Sequence, residues 1–182
     1  MRKNLYSLCF LLLALTAFFT HRSYAQYCTP TFTTGTTSGD FIDGVILNTI
    51  SNTGTGGSVP PYTDYSATLS TTLIPSTTYT ITFNNNPTWT EGYEAWIDYN
   101  QNQSFEPSES LGTISLAGGA TGSLNFTVPA TASPGTTRLR VMCEFASTFP
   151  LDPCTASPPT WGEVEDYGIV IPASADDDVG IS

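Results

Sequence analysis

Short runs in which apolar and polar residues alternate recur along this chain, and clusters of Gly, Pro, Asn, Ser and Thr separate them. In the runs Tyr79-Thr-Ile-Thr-Phe83 and Leu124-Asn-Phe-Thr-Val128, apolar side chains occupy every second position. A period of two predicts strands with one buried face. No stretch shows the period of 3.6 that an amphipathic helix needs. The pattern therefore restricts the chain to an all-β fold.

Eight strands are predicted in this way, and turn residues bound each of them. Short strands at this spacing predict an antiparallel two-layer β-sandwich of about eight strands, jelly-roll or Ig-like in arrangement. The predicted strands are Val45–Ile50, Tyr65–Leu69, Tyr79–Phe83, Tyr93–Tyr99, Leu111–Leu116, Gly122–Val128, Thr137–Phe145 and Val164–Ile171.

The first 25 residues have the features of a secretory signal. Basic residues (Arg2, Lys3) precede an apolar stretch at 11–19, and small residues favour cleavage after Ala25. The apolar stretch is shorter than the ~18 residues that a membrane-spanning helix needs. We therefore expect a secreted, extracellular or cell-surface chain without membrane insertion. Its predicted parts are a β-sandwich domain at 26–172 and an acidic linker or tail at 173–182.

Charge and composition exclude several functions. Without residues 1–25 the chain keeps two basic residues, Arg138 and Arg140, against 16 acidic ones, a net charge of −14. Such a surface repels phosphate backbones, so nucleic acid is not an expected partner. No histidine or lysine remains, which removes Ser-His-Asp catalysis, His-ligated zinc and Schiff-base chemistry. We expect no enzyme activity, with carboxylate-dependent glycoside hydrolysis through Glu163, Glu165 or Asp166 as the remaining alternative.

The segment 98–109 has the spacing of a calcium loop. Oxygen-bearing side chains stand at the first, third, fifth, seventh, ninth and twelfth of its 12 positions. Ca²⁺ takes 6–8 oxygen ligands. The predicted ligands are Asp98, Asn100, Asn102, Ser104 through a nearby backbone carbonyl, and Glu109, with Glu163 and Asp166 as additional candidates. For these last two acids, hydrogen bonds to loop amides at the end of the sheet are the alternative interpretation. A polar hairpin loop is the alternative interpretation, because the same residue types favour turns.

One position departs from this calcium pattern. Gln103 occupies the sixth position, where glycine normally permits a sharp turn. A weak site is the expected consequence.

Three cysteines follow residue 25, which predicts one disulfide and one spare thiol in an oxidising compartment. Cys143 alternates with Leu139 and Val141, so we expect it in the core. Cys28 and Cys154 lie in proline-flanked loops that a bridge can join. A pair between Cys143 and Cys154 stays open at this level.

Aromatic residues offer a different function, because their faces can stack on sugar rings. Trp89, Tyr93 and Trp161 are the candidates for a carbohydrate-binding surface. Trp96 is instead expected in the core.

The segment Trp161-Gly-Glu-Val-Glu-Asp-Tyr-Gly-Ile-Val resembles the signature of the GEVED domain family. Tyr27-Cys28, Trp96-Ile-Asp-Tyr-Asn-Gln-Asn, Phe126-Thr-Val-Pro-Ala and Gly135-Thr-Thr-Arg-Leu-Arg-Val are similar to other parts of that family. The resemblance implies a secreted bacterial β-sandwich module, often beside peptidase or adhesin-like domains and without an established activity of its own. Cys28 and Cys154 match cysteines that recur in the family, which favours their pairing.

We therefore expect a calcium-stabilised accessory or adhesion module that contacts a neighbouring domain or an extracellular polymer or glycan. A carbohydrate-binding module is the alternative.

Overall fold

The computed structural model describes residues 26–173. The predicted signal segment at 1–25 and the predicted tail beyond residue 173 lie outside the described residues. The described part of the chain consists of strands, turns and two short 3-10 segments at Thr36–Ser38 and Pro107–Glu109. The all-β prediction is confirmed.

Ten strands are present in the described residues. Their bounds are β1 (Ile42–Leu47), β2 (Ile50–Thr53), β3 (Tyr62–Asp64), β4 (Ser70–Thr72), β5 (Thr78–Asn85), β6 (Glu91–Ile97), β7 (Ser110–Leu116), β8 (Thr121–Thr127), β9 (Gly135–Phe145) and β10 (Gly162–Ile171).

The strands form two sheets. The smaller sheet has four strands in the order β2-β1-β5-β8. The larger sheet has six strands, in the order β3-β10-β9-β6-β7 with β4 also paired to β10. β3 and β4 run parallel to successive parts of β10, whereas the other neighbours are antiparallel. The sandwich is as predicted, and the parallel edge is a feature that alternation alone could not reveal.

Two predicted strands are wrong. The predicted strand at 45–50 is a hairpin, because Asn48 turns the chain with a φ of 51° and Leu47 pairs with Ile50. The predicted strand at 65–69 is a turn between β3 and β4, in which the amides of Thr68 and Leu69 donate to the carbonyl of Tyr65 at 2.9 and 2.8 Å. Each of the six other predicted strands overlaps one observed strand.

The main core lies between the two sheets. Phe83 of β5 stacks on Tyr93 of β6 with ring centroids 5.2 Å apart, and both side chains are fully buried. The opposite face of the small sheet is polar, as at Thr80, whose hydroxyl donates to the Asn125 side chain at 2.6 Å. Burial on one face explains why alternation was clear in β5 and β8.

The central strands of the large sheet, β6, β9 and β10, are largely buried on both faces. A second apolar cluster covers its outer face and contains Trp96, Phe105, Met142, Leu151 and Val164. Residues of the segment before β1 and of the segment between β9 and β10 complete this layer. The layer explains why all seven residues of β6 are buried.

A disulfide between Cys28 and Cys154 ties these two covering segments together. Cys143 is unpaired and fully buried, as predicted, and burial raises the pKa of its thiol well above the ordinary value. The disulfide therefore joins the beginning of the domain to a segment that lies just before its last strand.

Candidate functional site

The predicted calcium loop connects β6 to β7 and ends in the 3-10 segment Pro107–Glu109. Asp98, its first residue, is fully buried. One carboxylate oxygen accepts the amide of Asn102 at 3.2 Å. The other accepts the amide of Gln103 at 2.9 Å and the hydroxyl of Tyr27 at 2.6 Å. The loop is thus wrapped around the Asp98 carboxylate.

The two asparagines of the loop face a common carboxylate. The side-chain oxygen of Asn100 accepts the Asn102 amide at 2.9 Å, and that of Asn102 accepts the Ser104 amide at 2.8 Å. Their NH₂ groups donate to opposite oxygens of Glu106 at 3.1 and 2.6 Å. Glu106, the ninth loop residue, therefore lies beside the predicted ligands.

Glu109 closes the loop by accepting backbone amides. One of its oxygens accepts Tyr99 N at 2.9 Å and Asn100 N at 3.3 Å, and the other accepts Glu106 N at 3.1 Å. Burial and the neighbouring Glu106 carboxyl raise the pKa of Glu109 to about 7.

The fit of this loop to Ca²⁺ is mixed. The backbone of Gln103 has a φ of 68°, the left-handed region that favours glycine at this position. One oxygen of Asp98 and the side-chain oxygens of Asn100 and Asn102 each accept a single hydrogen bond and so retain a lone pair, which fits an oxygen-only shell. Among the described residues, however, no three Asp, Glu, His or Cys side chains are grouped as a metal shell would require.

The acids of the signature strand do not join this loop. Glu163 pairs in register with Cys143 and is 1% exposed. Its oxygens accept the amide of Ile42 at 3.0 Å and the amide of Ser58 at 2.8 Å, together with the hydroxyl of Ser58. Glu163 therefore fixes the segments around β1, and its prediction as an additional calcium ligand is wrong.

Asp166 is also wrong as a calcium ligand, because arginines occupy its oxygens. It is fully buried and accepts Nε and Nη2 of Arg140, both at 2.8 Å. It also accepts Arg138 at 3.1 Å and the Tyr62 hydroxyl at 2.8 Å. Arg140 in turn donates to the carbonyls of Pro153 and Cys28 at 2.7 and 2.9 Å. This buried ion pair is a structural centre.

Glu165 faces the inside of the sandwich, since it pairs in register with Val141. It accepts the Tyr167 hydroxyl at 2.6 Å and is 1% exposed. Burial, with the nearby charge of Glu163, raises the pKa of Glu165 to about 8. No member of the proposed glycosidase group of Glu163, Glu165 and Asp166 is more than 1% exposed, so none of these acids lines an open cleft.

An aromatic pocket forms where Trp89, Phe145 and Trp161 meet. Each indole meets the Phe145 ring edge to face, with centroids 5.7 Å apart at 75° for Trp89 and 5.6 Å apart at 88° for Trp161. Trp89 is 42% exposed and Trp161 37% exposed. The cavity between them measures about 220 Å³ and also touches Ser38 and Asp40.

The structure thus brings together two of the three predicted sugar-stacking residues. Tyr93 is a correction, because its ring is fully buried between the sheets and cannot meet a sugar. Phe145 and Asp40 were not predicted. No local signal marks them, since Phe145 ends an apolar strand and Asp40 stands in a loop before β1.

A buried carboxyl group, that of Asp40, lines the aromatic pocket and lies beside a second one, that of Glu91. Asp40 is 2% exposed, and its carboxyl is in hydrogen-bonding contact with that of Glu91, which is fully buried. Glu91 accepts an Asn86 amide at 3.1 Å through one oxygen, while its other oxygen lacks a donor. Burial and the charge of Asp40 raise the pKa of Glu91 to about 8.

Fold and site together define a compact β-sandwich domain with a buried acidic strand and one exposed aromatic pocket. The family described as the GEVED domain matches residues 92–170, which run from β6 into β10. This match confirms the predicted resemblance to that family over this part of the chain. Within residues 26–173, no helix is long and apolar enough to cross a membrane.

Comparison with curated proteins gives no match. Two solved structures have a partly similar fold. WR4, an MSP family member of C. elegans, has 10% identity and a TM-score of 0.32 over 62% of this chain and 94% of its own. A family 123 glycoside hydrolase from Clostridium perfringens has 10% identity and a TM-score of 0.32 over 57% of this chain and 22% of its own.

Proposed function

We propose that this chain is an exported accessory or adhesion module without catalytic activity, which contacts a neighbouring domain or an extracellular polymer. One contrast carries the proposal. The acids of the signature strand are buried and bonded within the domain, whereas three aromatic side chains gather at one surface pocket. Buried acids whose oxygens are hydrogen-bonded within the domain stabilise its fold. Aromatic side chains that cluster at the surface are typical of a binding site.

The absence of catalysis is argued from chemistry. Residues 26–182 contain no histidine and no lysine, so a carboxylate pair is the remaining general acid and base. A glycosidase needs two carboxyls that flank a sugar bond about 5–10 Å apart across an accessible cleft. Glu163, Glu165 and Asp166 are held by backbone amides, a tyrosine and arginines respectively, which suits structural roles. The strong negative charge also disfavours nucleic acid as a partner.

Calcium is proposed as a structural ion of the loop at 98–109. Asp98, Asn100, Asn102, Glu109 and a carbonyl near Ser104 would hold it, and Glu106 is placed beside them. A bound divalent cation would offset two of the three negative charges that the carboxyls of this loop carry when ionised, and so stabilise the loop.

Calcium is expected to raise the melting temperature of the mature chain, relative to chelator. For extracellular sites with dissociation constants near 10⁻⁴–10⁻³ M, millimolar calcium stabilises the native state by about 0.4–1.5 kcal/mol. The Asn102→Asp substitution should enlarge the difference, because it adds a charged ligand. Differential scanning fluorimetry in calcium and in chelator measures both effects.

Asn125→Asp is the matched control, since it adds the same charge on the exposed face of β8. Asp98→Ala should abolish the calcium-dependent difference, whatever its effect on stability in chelator. If the wild type and Asn102→Asp melt at the same temperatures with and without calcium, the loop is only a hairpin connection.

Carbohydrate binding is the second candidate function, because Trp89 and Trp161 are exposed and share one pocket. The proposed binding role is tested on an array of extracellular polysaccharides and other surface polymers. We expect a signal that falls at least about tenfold in Trp161→Ala, since stacked aromatics contribute on the order of 1 kcal/mol or more.

Ile74→Ala is the control for that array, because Ile74 is a 54% exposed side chain outside the pocket. A signal that Trp161→Ala and Trp89→Ala leave unchanged would remove the pocket from the binding function.

A further inference from the structure

Three aromatic side chains from separate parts of the chain line the aromatic pocket. Phe145 ends β9, Trp161 precedes β10, and Trp89 lies between β5 and β6. The near-perpendicular indoles place the edge or face of each ring beside Phe145. An enclosure of about 220 Å³ with such walls admits a small, rounded group.

The floor of this pocket carries negative charge without a protein counter-ion. Asp40 lines the pocket and contacts Glu91, whose second oxygen is buried and lacks a donor. Ionisation of this pair places negative charge beside the aromatic rings. The basic residues of the described chain, Arg138 and Arg140, bond to Asp64 and Asp166 instead.

A neutral sugar matches this lining poorly. Sugar hydroxyls need hydrogen-bonding partners, and ligand pockets supply them through a few precisely placed polar groups. The indole NH of Trp89 already donates to the Ser38 carbonyl at 2.8 Å, so both groups are engaged. What remains is mainly ring surface above a carboxylate.

A cation matches the same lining well. Aromatic faces attract cations, and quaternary ammonium groups are recognised by such aromatic cages. A carboxylate at the floor adds direct charge complementarity in a partly desolvated place. From these observations, and resting on the proposed binding function, we propose that the pocket binds a substituted ammonium group, such as the trimethylammonium group of a choline-bearing polymer.

Choline and 3,3-dimethylbutan-1-ol, its uncharged isostere, test the charge requirement directly. The mature chain is titrated with each compound while tryptophan fluorescence is followed, because two of its three tryptophans line the pocket. We expect choline to bind at least about tenfold more tightly than the isostere, as an energy near 1.4 kcal/mol would give.

Three variants locate the effect. Asp40→Asn keeps the shape of the floor and should weaken choline binding about tenfold, and Trp161→Ala should weaken it further. Ile74→Ala should bind choline as the wild type does. The choline comparison in the wild type holds even if Asp40→Asn does not fold.

The outcomes separate this inference from the proposed function. Equal binding of choline and its isostere would overturn the ammonium proposal and leave an apolar pocket. Binding of neutral polysaccharides that Trp161→Ala abolishes, without any choline response, would also overturn it while the binding function stands. No response to choline, its isostere or the polymer array would overturn both.

Discussion

Asp166→Asn is expected to lower the free energy of unfolding by about 3–5 kcal/mol, because it leaves the buried Arg140 charge unpaired. Both residues are fully buried. The guanidinium makes two 2.8 Å bonds to Asp166, and an asparagine would turn an NH₂ group toward one of these donors. Urea unfolding at neutral pH measures the loss.

Asp64→Asn is the matched control for that variant. Asp64 and Asp166 both form ion pairs with Arg138, at 3.0 and 3.1 Å, but the Asp64 side chain is 40% exposed. Partial burial acts to raise the pKa of Asp64, yet hydrogen bonds from Ser66 and the Arg138 charge lower it overall. Removing this exposed pair should cost only about 0–1 kcal/mol. Equal losses in the two variants would contradict the buried-charge argument.

Alternation was clearest in the strands that have one buried face. In β5, Ile81 and Phe83 are fully buried while Thr80 is exposed, so the period of two is visible in the sequence. Every residue of β6 is buried. Its carboxylates accept bonds within the domain, as Glu94 does from the Leu151 amide at 2.8 Å. Alternation therefore fails where the covering segments bury the second face.

Register explains why the roles of the signature acids could not be assigned from the sequence. Glu163 and Glu165 face the same side as Cys143 and Val141, whereas Asp166 lies opposite Arg140 on the other face. Side chains that are adjacent in the sequence therefore face two different layers of the domain. Only the pairing of β10 with β9 reveals that one acid neutralises an arginine.

The two candidate sites differ in how far sequence could define them. The loop at 98–109 is local, so its spacing was readable, and the turn at Gln103 has the left-handed backbone that the glycine pattern implies. The aromatic pocket is assembled by topology from three separate parts of the chain. From the sequence alone, Trp161, which lines the pocket, could not be distinguished from Tyr93, which is buried in the core.

The double substitution Cys28→Ser with Cys154→Ser should destabilise the domain by about 4–5 kcal/mol, less any strain that the bridge imposes. The bridge closes a loop with a sequence separation of 126. In the chain-entropy model, a bridge that closes a longer loop removes more conformational entropy from the unfolded chain. The melting temperature should fall by about 10–20 °C, at about 2–4 °C per kcal/mol for a chain of this size. Scanning calorimetry measures the fall, and Cys143→Ser serves as a comparison that removes a thiol without removing a bridge.

The disulfide and the buried arginine should also be energetically coupled. Arg140 donates to the carbonyls of Cys28 and Pro153, and the bridge joins Cys28 to the residue that follows Pro153. These two carbonyls and Asp166 together accept the hydrogen bonds of the Arg140 guanidinium. Loss of the bridge therefore loosens the two carbonyl acceptors. A cycle combining the double serine variant with Asp166→Asn should give an interaction energy of about 0.5–3 kcal/mol, since contacting residues of one network are not additive. Strict additivity would mean that the bridge acts only on the unfolded chain.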